Sequence, residues 1–369
     1  MARLEEICDI LDSRRIPITA SDRKPGPYPY YGANGIQDYV SDYIFDDELV
    51  LLAEDGGNFG SKEKPIAYRV SGKCWVNNHA HVLKPKDMLD VDYLCYSLMF
   101  YDVSGLVNGA TRQKLTQADM RKMEIPLRSM SEQKRITAVI NKVSDLISLR
   151  KQQLAKLDEL VKARFVELFG DPEKNTFSWK EEELSEHLTV IGGYAFKSEQ
   201  FSEEGIPVLR IGNINAGFFK PVNLVYWEDD DALNRYKMYP GDLVMSLTGT
   251  VGKDDYGNVC ILGNDYDVYY LNQRNAKLEL QDTINKYYLS MLLKFEPVKK
   301  KLTGISRGVR QANISNKDIL NLPVPIPPIE LQNQFAAFVE QTDKSKLAVQ
   351  QSLDKLELLK KALMQKCFG

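Results

Sequence analysis

The feature that most constrains this chain of 369 residues is an internal repeat. When the sequence is shifted by 199 positions, the stretch from Leu115 aligns with the stretch from Ile314 and the match continues without a gap to the C-terminus. A unit this long that occurs twice indicates a duplicated domain, because solenoid repeats are usually ~20 to 50 residues long. The identical pairs at this shift are Gly109 and Gly308, Asp119 and Asp318, Pro126 and Pro325, Gln133 and Gln332, Leu154 and Leu353, Leu157 and Leu356, Phe169 and Phe368, and Gly170 and Gly369.

Upstream of this stretch the two halves agree less well and only with gaps. Asp46 to Gly56 resembles Pro240 to Thr250, and Val76 to Leu83 resembles Leu271 to Leu278. These segments are apolar runs followed by polar turns, a pattern typical of strands. The repeat therefore predicts a globular domain, a long helix, a second globular domain and a second long helix. The predicted segments are 1–128, 129–170, 171–326 and 327–369.

The first predicted helix, from Ser131 to Phe169, carries a regular apolar stripe. Its apolar residues recur at alternating steps of four and three, with Arg150 and Arg164 at two positions of the stripe, as in the seam of a coiled coil. A helix of this length spans roughly 58 Å. We expect antiparallel pairing with the second copy in the same chain, and pairing between two chains is the alternative. The stripe residues are Ile136, Ile140, Val143, Ile147, Leu154, Leu157, Val161 and Leu168, and in the second copy Phe335, Val339, Val349, Leu353, Leu356 and Leu363.

Each predicted helix follows a segment that contains proline. "KMEIPLRSMSEQKRI" begins at Lys122 and "NLPVPIPPIELQNQF" begins at Asn321. Proline restricts the approach to a helix and lacks an N–H that the first turn would leave unpaired, so each segment is predicted to be a stiff joint. A P-x-x-P ligand for an SH3-type domain is the alternative. Ser131 and Lys134 do not make a capping box, so only the prolines mark the start of the first helix.

Composition is ordinary for a globular protein. Apolar residues make up 43% of the chain, and the net charge of -3 argues neither for nor against DNA, because a binding face needs only local positive charge. Without an apolar run of ~18 residues or a signal peptide, a cytoplasmic protein with no membrane partner is predicted. The five cysteines form no C-x-x-C pair and are predicted to be reduced. Cys74, His79 and His81 lack a fourth ligand, so no metal is predicted.

Motifs of the common catalytic sites are missing. "TGTVGKDD" contains Gly252 and Lys253, but Asp254 stands where a P-loop requires Ser or Thr. The sequence also lacks the Asp/Asn-Pro-Pro-aromatic motif of amino-methyltransferases, H-E-x-x-H and G-x-S-x-G. These absences favour a binding protein that is not an enzyme and has no cofactor of its own.

The chain resembles the specificity subunit of type I restriction-modification enzymes. "NGATRQKLTQADMRKMEIPL" and "RGVRQANISNKDILNLPVPIPPIELQNQF" carry the resemblance, because both contain an Arg-Gln step and the Asp and Pro positions above. A helix led by Gln133 or Gln332 follows the Pro in each half. It covers nearly the whole chain and implies mixed α/β target-recognition domains in tandem, separated by two long antiparallel coiled-coil helices. It also implies a non-catalytic subunit that reads an asymmetric site in double-stranded DNA, one half with each domain.

The resemblance further implies protein partners. Two methyltransferase subunits would carry S-adenosylmethionine and methylate adenines, and two restriction subunits, where the system has them, would use ATP and magnesium to translocate and cut DNA. A rigid spacer suits this role, because half-sites one helical turn apart are separated by roughly 34 Å. A coiled-coil scaffold that binds proteins through its globular ends is the alternative function.

The candidate DNA contacts are polar, basic or aromatic residues in predicted loops. Base edges are read by amide, hydroxyl and basic side chains, whereas phosphates bind cations and backbone amides. "PVKKKLTGISRGVR" holds five basic residues and no acid, so it either faces phosphates or is a solvated helix end. In the first domain the candidates are Tyr30, Tyr31, Asn34, Asn77, Asn78, His79, Arg112 and Gln113, and in the second they are Arg210, Asn213, Asn215, Thr248, Thr250, Lys253, Gln273, Arg274, Lys299, Lys300, Lys301, Arg307 and Arg310.

Overall fold

A computed structural model describes residues 1–109, 113–253, 255–304 and 311–369. By its internal contacts the chain forms two units of mixed helix and sheet, as the repeat predicts. Unit 1 comprises Met1–Lys151 and Gln350–Gly369, and unit 2 comprises Gln152–Val349. This division differs from the four predicted segments, because each long helix contributes residues to both units.

Unit 1 is built around one mixed sheet. Its strands are β1 (Ala2–Arg3), β2 (Cys8–Ile10), β3 (Pro25–Gly32), β4 (Gly35–Val40), β5 (Phe45–Ala53), β6 (Ala67–Val76), β7 (Ala80–Pro85), β8 (Val107–Asn108), β9 (Lys114–Leu115) and β10 (Glu124–Ile125). The sheet has the order β2-β7-β5-β6-β3-β4, and its neighbours are antiparallel except for β3 and β6. Short helices span Leu4–Ile7, Val91–Met99 and Gln117–Arg121.

Strand β5 shows why the sheet is covered on both faces. Its residues from Leu49 to Ala53 are all apolar and fully buried. Successive side chains of a strand point to opposite faces, so Val50 and Leu52 pack in the core that includes helix Val91–Met99, while Leu49 and Leu51 pack in a second core. A continuous apolar run is typical of a strand with two buried faces.

Unit 2 repeats this plan with shorter strands. They are β11 (Glu181–Glu183), β12 (Leu188–Gly192), β13 (Ile206–Leu209), β14 (Tyr226–Trp227), β15 (Lys237–Met238), β16 (Leu243–Ser246), β17 (Thr248–Thr250), β18 (Val259–Ile261), β19 (Tyr269–Leu271), β20 (Asn275–Leu280), β21 (Gln311–Asn313) and β22 (Pro323–Pro325). The main sheets have the orders β12-β20-β16-β18 and β14-β13-β19-β15, and β17 pairs with β21. Helices span Ile211–Ile214, Lys286–Lys294, Glu296–Thr303 and Asn316–Leu320.

One long strand of unit 1 corresponds to two strands of unit 2. Strand β6 pairs antiparallel with β5 and then, at Trp75 and Val76, parallel with β3. In unit 2, β18 makes the antiparallel pairing with β16, whereas β19 makes the parallel pairing with β13. Residues 262–268 interrupt the strand between them. Both units therefore contain the parallel pairing, which joins β3 to the end of β6 in unit 1 and β13 to β19 in unit 2.

The two long helices are Met130–Phe169 and Ile329–Phe368. In unit 1, Arg150 Nε donates to Ser352 Oγ at 3.3 Å and Lys151 Nζ lies 2.8 Å from a carboxylate oxygen of Glu357. All stripe residues predicted in both helices are buried or half-buried.

In unit 2 the helices also contact each other. Lys346 Nζ lies 2.7 Å from a carboxylate oxygen of Asp158, and the rings of Phe165 and Phe335 are 5.4 Å apart. Contacts therefore move toward the start of the second helix as they move toward the end of the first, so within unit 2 the helices pack antiparallel.

The repeated glutamines fix the joints before the long helices. Gln133 is buried; its side-chain oxygen accepts from the Asp90 N–H at 2.8 Å, and its amide donates to the Arg128 carbonyl at 2.9 Å. Gln332 is also buried, and it accepts from the Asn285 N–H at 2.8 Å while its amide donates to the Pro327 carbonyl at 2.8 Å. One side chain in each unit thus ties the start of the long helix to the start of the short helix that follows the sheet.

The proline segment before the second helix is part of the fold. Strand β22 pairs with β11, and both Pro325 and Pro327 are buried. The hydroxyl of Tyr288 donates to the Pro325 carbonyl at 2.6 Å, as the hydroxyl of Tyr93 does to Pro126 at 2.8 Å. A buried and paired segment is not available as a P-x-x-P ligand, which favours the interpretation as a joint.

The start of the first long helix corrects one expectation. Ser129 precedes the first helical residue, its N–H donates to Glu132 at 3.3 Å, and its hydroxyl accepts from the Glu132 N–H at 3.4 Å. This is a capping box, and it lies two residues before Ser131, where no box was found.

Each unit is closed by an aromatic pair. In unit 1 the ring of Tyr93 meets Phe368 edge-on at 5.0 Å, and in unit 2 Tyr288 meets Phe169 edge-on at 4.8 Å. Phe169 and Phe368 are the last residues of the two long helices and are partners in the repeat. The core of unit 1 is therefore completed by the end of the second helix, and the core of unit 2 by the end of the first.

The cysteines form no disulfide. All five are free thiols, and burial raises the pKa of Cys8, Cys74, Cys95 and Cys260 to about 12. Thiols with so high a pKa are not nucleophiles near neutral pH. Within the described residues, none of the helices is long and apolar enough to cross a membrane.

Candidate nucleic-acid interface

The candidates of unit 1 that the structure describes meet at one end of its sheet. Asn34 lies between β3 and β4, residues 77–79 connect β6 to β7, and Gln113 precedes β9. The Asn34 side chain donates to the Gly56 carbonyl at 2.9 Å, and the Gly56 N–H donates to the Gln113 carbonyl at 3.3 Å. These two bonds join three chain segments, and the Glu54 N–H, which donates to the His79 carbonyl at 2.9 Å, adds the fourth. We call the first edge the set of Asn34, Asn78, His79 and Gln113.

Two candidates support the first edge from inside. Tyr30 is 1% exposed, and its hydroxyl donates to the Ile18 carbonyl at 3.3 Å. Asn77 is buried, and its side-chain oxygen accepts from the His79 N–H at 2.8 Å. Because neither side chain reaches the surface, the expectation that they contact bases directly is corrected to a positioning role. Tyr31 is half-buried, and burial raises the pKa of its hydroxyl.

A buried charge network lies behind the first edge. Asp12, Glu54 and His81 bring three potential metal-ligating atoms together. However, Arg15 Nη1 lies 2.5 Å from Glu54, Lys114 Nζ lies 3.1 Å from it, and the His81 ring lies 2.6 Å from Asp12. Burial opposes the charge on Asp12, but hydrogen bonding and the charge of His81 hold the pKa of Asp12 below its usual range. The cluster is thus neutralised by the cations of the chain itself, and it positions the strand ends that carry the edge.

In unit 2, four candidates line one cleft of about 480 Å³. Gln273 and Arg274 are exposed in the turn between β19 and β20. Arg210 follows β13, and its guanidinium donates to the Asn223 carbonyl. The cleft also contains the rings of Phe196 and Phe201. Thr248, the first residue of β17, lies close to this turn, because the N–H of the preceding residue, Leu247, donates to the Arg274 carbonyl. We call the second edge the set of Arg210, Gln273, Arg274 and Thr248.

Several candidates of unit 2 hold the loops in place. Asn213 is buried, and its amide donates to the carbonyls of Lys220 and Val222 at 3.0 and 2.9 Å. The Asn215 amide donates to the Asp255 carbonyl at 2.6 Å. Asn213 is therefore corrected from a base contact to a loop anchor.

The turn after β17 is organised by Asp255. The hydroxyl of Thr250 donates to one carboxylate oxygen of Asp255 at 2.9 Å, and its N–H donates to the other at 2.8 Å. Thr248 donates to the side chain of Asn313 at 2.8 Å. These bonds hold the turn that presents Lys253, which is exposed.

The basic run does not form one row facing phosphates. Lys299 is 8% exposed, and its ammonium donates to Asn258 at 2.6 Å. Lys300 lies 2.6 Å from Glu296, while Lys301 is exposed. The expectation of a shared phosphate-facing role is therefore wrong for Lys299. Arg112, Arg307 and Arg310 lie outside the described residues.

Asn272 was missed by the sequence analysis. Its side-chain oxygen accepts from the Arg274 N–H at 3.2 Å and so shapes the turn that carries two candidates. The signal was present in the sequence, because Asn272 stands two residues before Arg274 as Asn77 stands two before His79.

A family model described as the type I restriction modification DNA specificity domain matches residues 1–159 and 178–358. The chain belongs to this family. Both edges of this specificity-domain protein lie inside the matched ranges, so the surfaces assembled by the sheets belong to the parts of the chain that define the family.

Known members resemble this specificity-domain protein over most of their length. A Haemophilus influenzae protein named as a type I restriction enzyme specificity subunit is 27% identical, and the match covers 98% of this chain and 94% of that one. The MjaVIII specificity subunit of Methanocaldococcus jannaschii is 25% identical over 99% and 90% of the two chains. The crystal structure of a type I restriction-modification S subunit from M. genitalium shares the fold, with a TM-score of 0.61, 16% identity and coverage of 100% and 95%.

Proposed function

We propose that this specificity subunit reads a bipartite DNA site, one half with each unit, and has no catalytic role of its own. The observation that carries the proposal is that each unit assembles its own edge of polar side chains at the end of its sheet; the exposed ones are Asn34, Asn78 and Gln113 in unit 1 and Gln273 and Arg274 in unit 2. Two similar scaffolds with different exposed side chains are what an asymmetric site in two parts requires.

The chemistry of the edges suits the major groove. Arg pairs with guanine O6 and N7, and Asn or Gln pairs with adenine N6 and N7. Asn34 and Asn78 offer amides on the first edge, whereas Gln273 and Arg274 offer an amide and a guanidinium on the second. Local groups of this kind allow DNA reading by a chain whose net charge is -3.

The long helices support a spacer role. Each is a continuous helix of 40 residues, roughly 60 Å long, and each contributes to both units. An uninterrupted helix resists bending, so we propose that the pair fixes the distance between the two half-sites.

Exposed leucines on these helices support docking of partner proteins. Leu160 of the first helix and Leu359 of the second are 49% and 47% exposed, and they are equivalent in the repeat. Exposed apolar side chains at equivalent positions suit two copies of one partner. We propose two methyltransferase subunits, which would carry S-adenosylmethionine, and, in a complete restriction system, two restriction subunits that use ATP and magnesium. The complex would act in the cytoplasm.

The test is to sequence methylated adenines in cells that express this chain with its methyltransferase subunit. We expect a motif of two short specified parts separated by unspecified bases. When residues 172–322 are exchanged for the corresponding segment of another specificity subunit, we expect one part of the motif to change and the other to stay.

A control exchange of residues 1–122 should change the other part only. A continuous motif, or a motif that is unaffected by exchange of residues 172–322, would contradict the proposal. Retention on DNA should also fall steeply with salt, because phosphate contacts release counterions; a protein scaffold would show no DNA retention and salt-insensitive binding to its partners.

A further inference from the structure

The turns that carry the exposed residues are built alike in the two units. In unit 1 the three residues 77–79 connect β6 to β7, and in unit 2 the three residues 272–274 connect β19 to β20. The side-chain oxygen of Asn77 accepts from the His79 N–H at 2.8 Å, and that of Asn272 accepts from the Arg274 N–H at 3.2 Å. The first residue of each turn therefore fixes the backbone of the third.

Backbone bonds to two other segments are also the same. In unit 1 the Glu54 N–H donates to the His79 carbonyl at 2.9 Å, and the Leu115 N–H donates to the Glu54 carbonyl at 2.7 Å. In unit 2 the Leu247 N–H donates to the Arg274 carbonyl at 2.8 Å, and the Ile314 N–H donates to the Leu247 carbonyl at 2.8 Å.

These bonds settle which residues of the two units are equivalent. His79 corresponds to Arg274, and Leu115 corresponds to Ile314, as the sequence repeat predicts. Glu54 corresponds to Leu247, whereas the alignment of apolar runs had placed it opposite Thr248. The alignment was wrong by one residue because the residues within an apolar run are too alike to fix its register. The hydrogen bonds at the strand ends fix it.

On this common scaffold, we propose that the second and third residues of each turn are equivalent base-reading positions. Asn78 and His79 read the half-site of unit 1, and Gln273 and Arg274 read that of unit 2. Arg274 takes a guanine and Gln273 an adenine in the major groove, by the bidentate pairs that these side chains form. This assignment rests on the proposed function, and it names the residues through which that function discriminates bases.

The side chains of unit 2 are available for this task. Gln273 and Arg274 are exposed and line the cleft of about 480 Å³. Within the part of the chain that the structure describes, no group hydrogen-bonds the guanidinium of Arg274, whereas that of Arg210 is bound to the Asn223 carbonyl. Arg210 is thus fixed in the wall of the cleft, and Arg274 keeps its full set of donors for a ligand.

The equivalent position in unit 1 has a different chemistry. His79 Nδ1 lies 2.6 Å from a carboxylate oxygen of Asp55. The residue of unit 2 that corresponds to Asp55 is Thr248, whose hydroxyl donates a hydrogen bond to the side-chain oxygen of Asn313. Thr248 therefore offers no carboxylate at this place. An imidazole held by an acid and an exposed guanidinium present different donors from the same place, so the two units are expected to prefer different bases there.

The inference is tested with Arg274→Ala and Gln273→Ala in cells that express the chain with its methyltransferase subunit. Each substitution should relax one base position in one half of the methylated motif, with discrimination at that position falling roughly ten- to hundredfold. The transplant Asn78→Gln with His79→Arg should change base preference in the other half only. Arg235→Ala and Gln281→Ala, at exposed sites of unit 2 away from the turn, are the matched controls and should leave the motif unchanged.

A substitution that abolishes methylation is resolved by binding the purified complex to duplexes that carry each of the four base pairs at each motif position. Loss confined to one position supports the inference. An unchanged motif in an active complex, or an equal loss of binding for every base, overturns it. Failure of the proposed function looks different, because the unsubstituted chain would then give no bipartite motif.

Discussion

Replacing Gln332 by Leu tests whether one buried side chain holds the second joint. Leu has a similar volume, so packing is kept while two hydrogen bonds are lost. The Pro327 carbonyl is left buried without its 2.8 Å donor, and the Asn285 N–H loses its 2.8 Å acceptor.

The expected loss of stability follows from these two groups. An unsatisfied buried carbonyl costs about 1–3 kcal/mol, and losing the bond to a partly accessible N–H costs about 1 kcal/mol. We therefore expect unit 2 to lose about 2–4 kcal/mol of unfolding free energy, which lowers its melting midpoint by about 4–16 °C at its size.

Two measurements check this prediction. Thermal unfolding followed by calorimetry gives the midpoint, and hydrogen exchange at the Asn285 amide reports the bond itself. Gln334→Leu is the matched control, because Gln334 is exposed two residues further along the same helix, and it should shift stability by no more than about 0.5 kcal/mol. If the Gln332 variant melts like this control and its Asn285 amide stays protected, the joint is held by something else.

Three further predictions concern the long helices and the charge network. Ser129→Ala should cost unit 1 about 1 kcal/mol in urea unfolding through loss of the cap, whereas an equal cost from Ser131→Ala would contradict the assigned capping box. Leu160→Asp combined with Leu359→Asp should abolish co-purification with the methyltransferase subunit without lowering the melting midpoint, and retained complex would refute docking there. The folded-state pKa of Asp12 is below its ordinary value of 3.8, so its contribution to the free energy of unfolding is present above about pH 4 and is lost as the pH falls further. In urea unfolding measured against pH, Asp12→Asn should remove that part of the acid dependence. Asp9→Asn, at an exposed site, should not.

The long helices were predictable because their signal is local. An apolar stripe repeats every few residues, so the seam can be identified without knowing what it packs against. The same periodicity could also have been applied to the basic run. Leu302 lies three residues after Lys299 in a helix whose buried face includes both, so helical spacing could have placed Lys299 inside.

The interior roles of polar residues were not predictable in this way. Asn77 and Asn78 are neighbours of the same type, yet the first is buried as a backbone support and the second is exposed. Side chains of the preceding strand point alternately to its two faces, so the register of that strand determines which of the two asparagines is buried. The His81 ring and the Asp12 carboxylate share a hydrogen bond across 69 positions of sequence, and nothing local in either residue indicates its partner.

The aromatic pair of Tyr93 and Phe368 makes the core of unit 1 depend on residues that are translated after all of unit 2. In unit 2, Phe169 is translated before its ring partner Tyr288, so the aromatic pair can form as soon as Tyr288 has been made. Most of unit 1 is translated first, but residues 350–369 are added only after all of unit 2 has been made. Unit 1 can therefore be completed only after unit 2, and a stop codon just before Phe368 is expected to damage the core of unit 1 rather than that of unit 2.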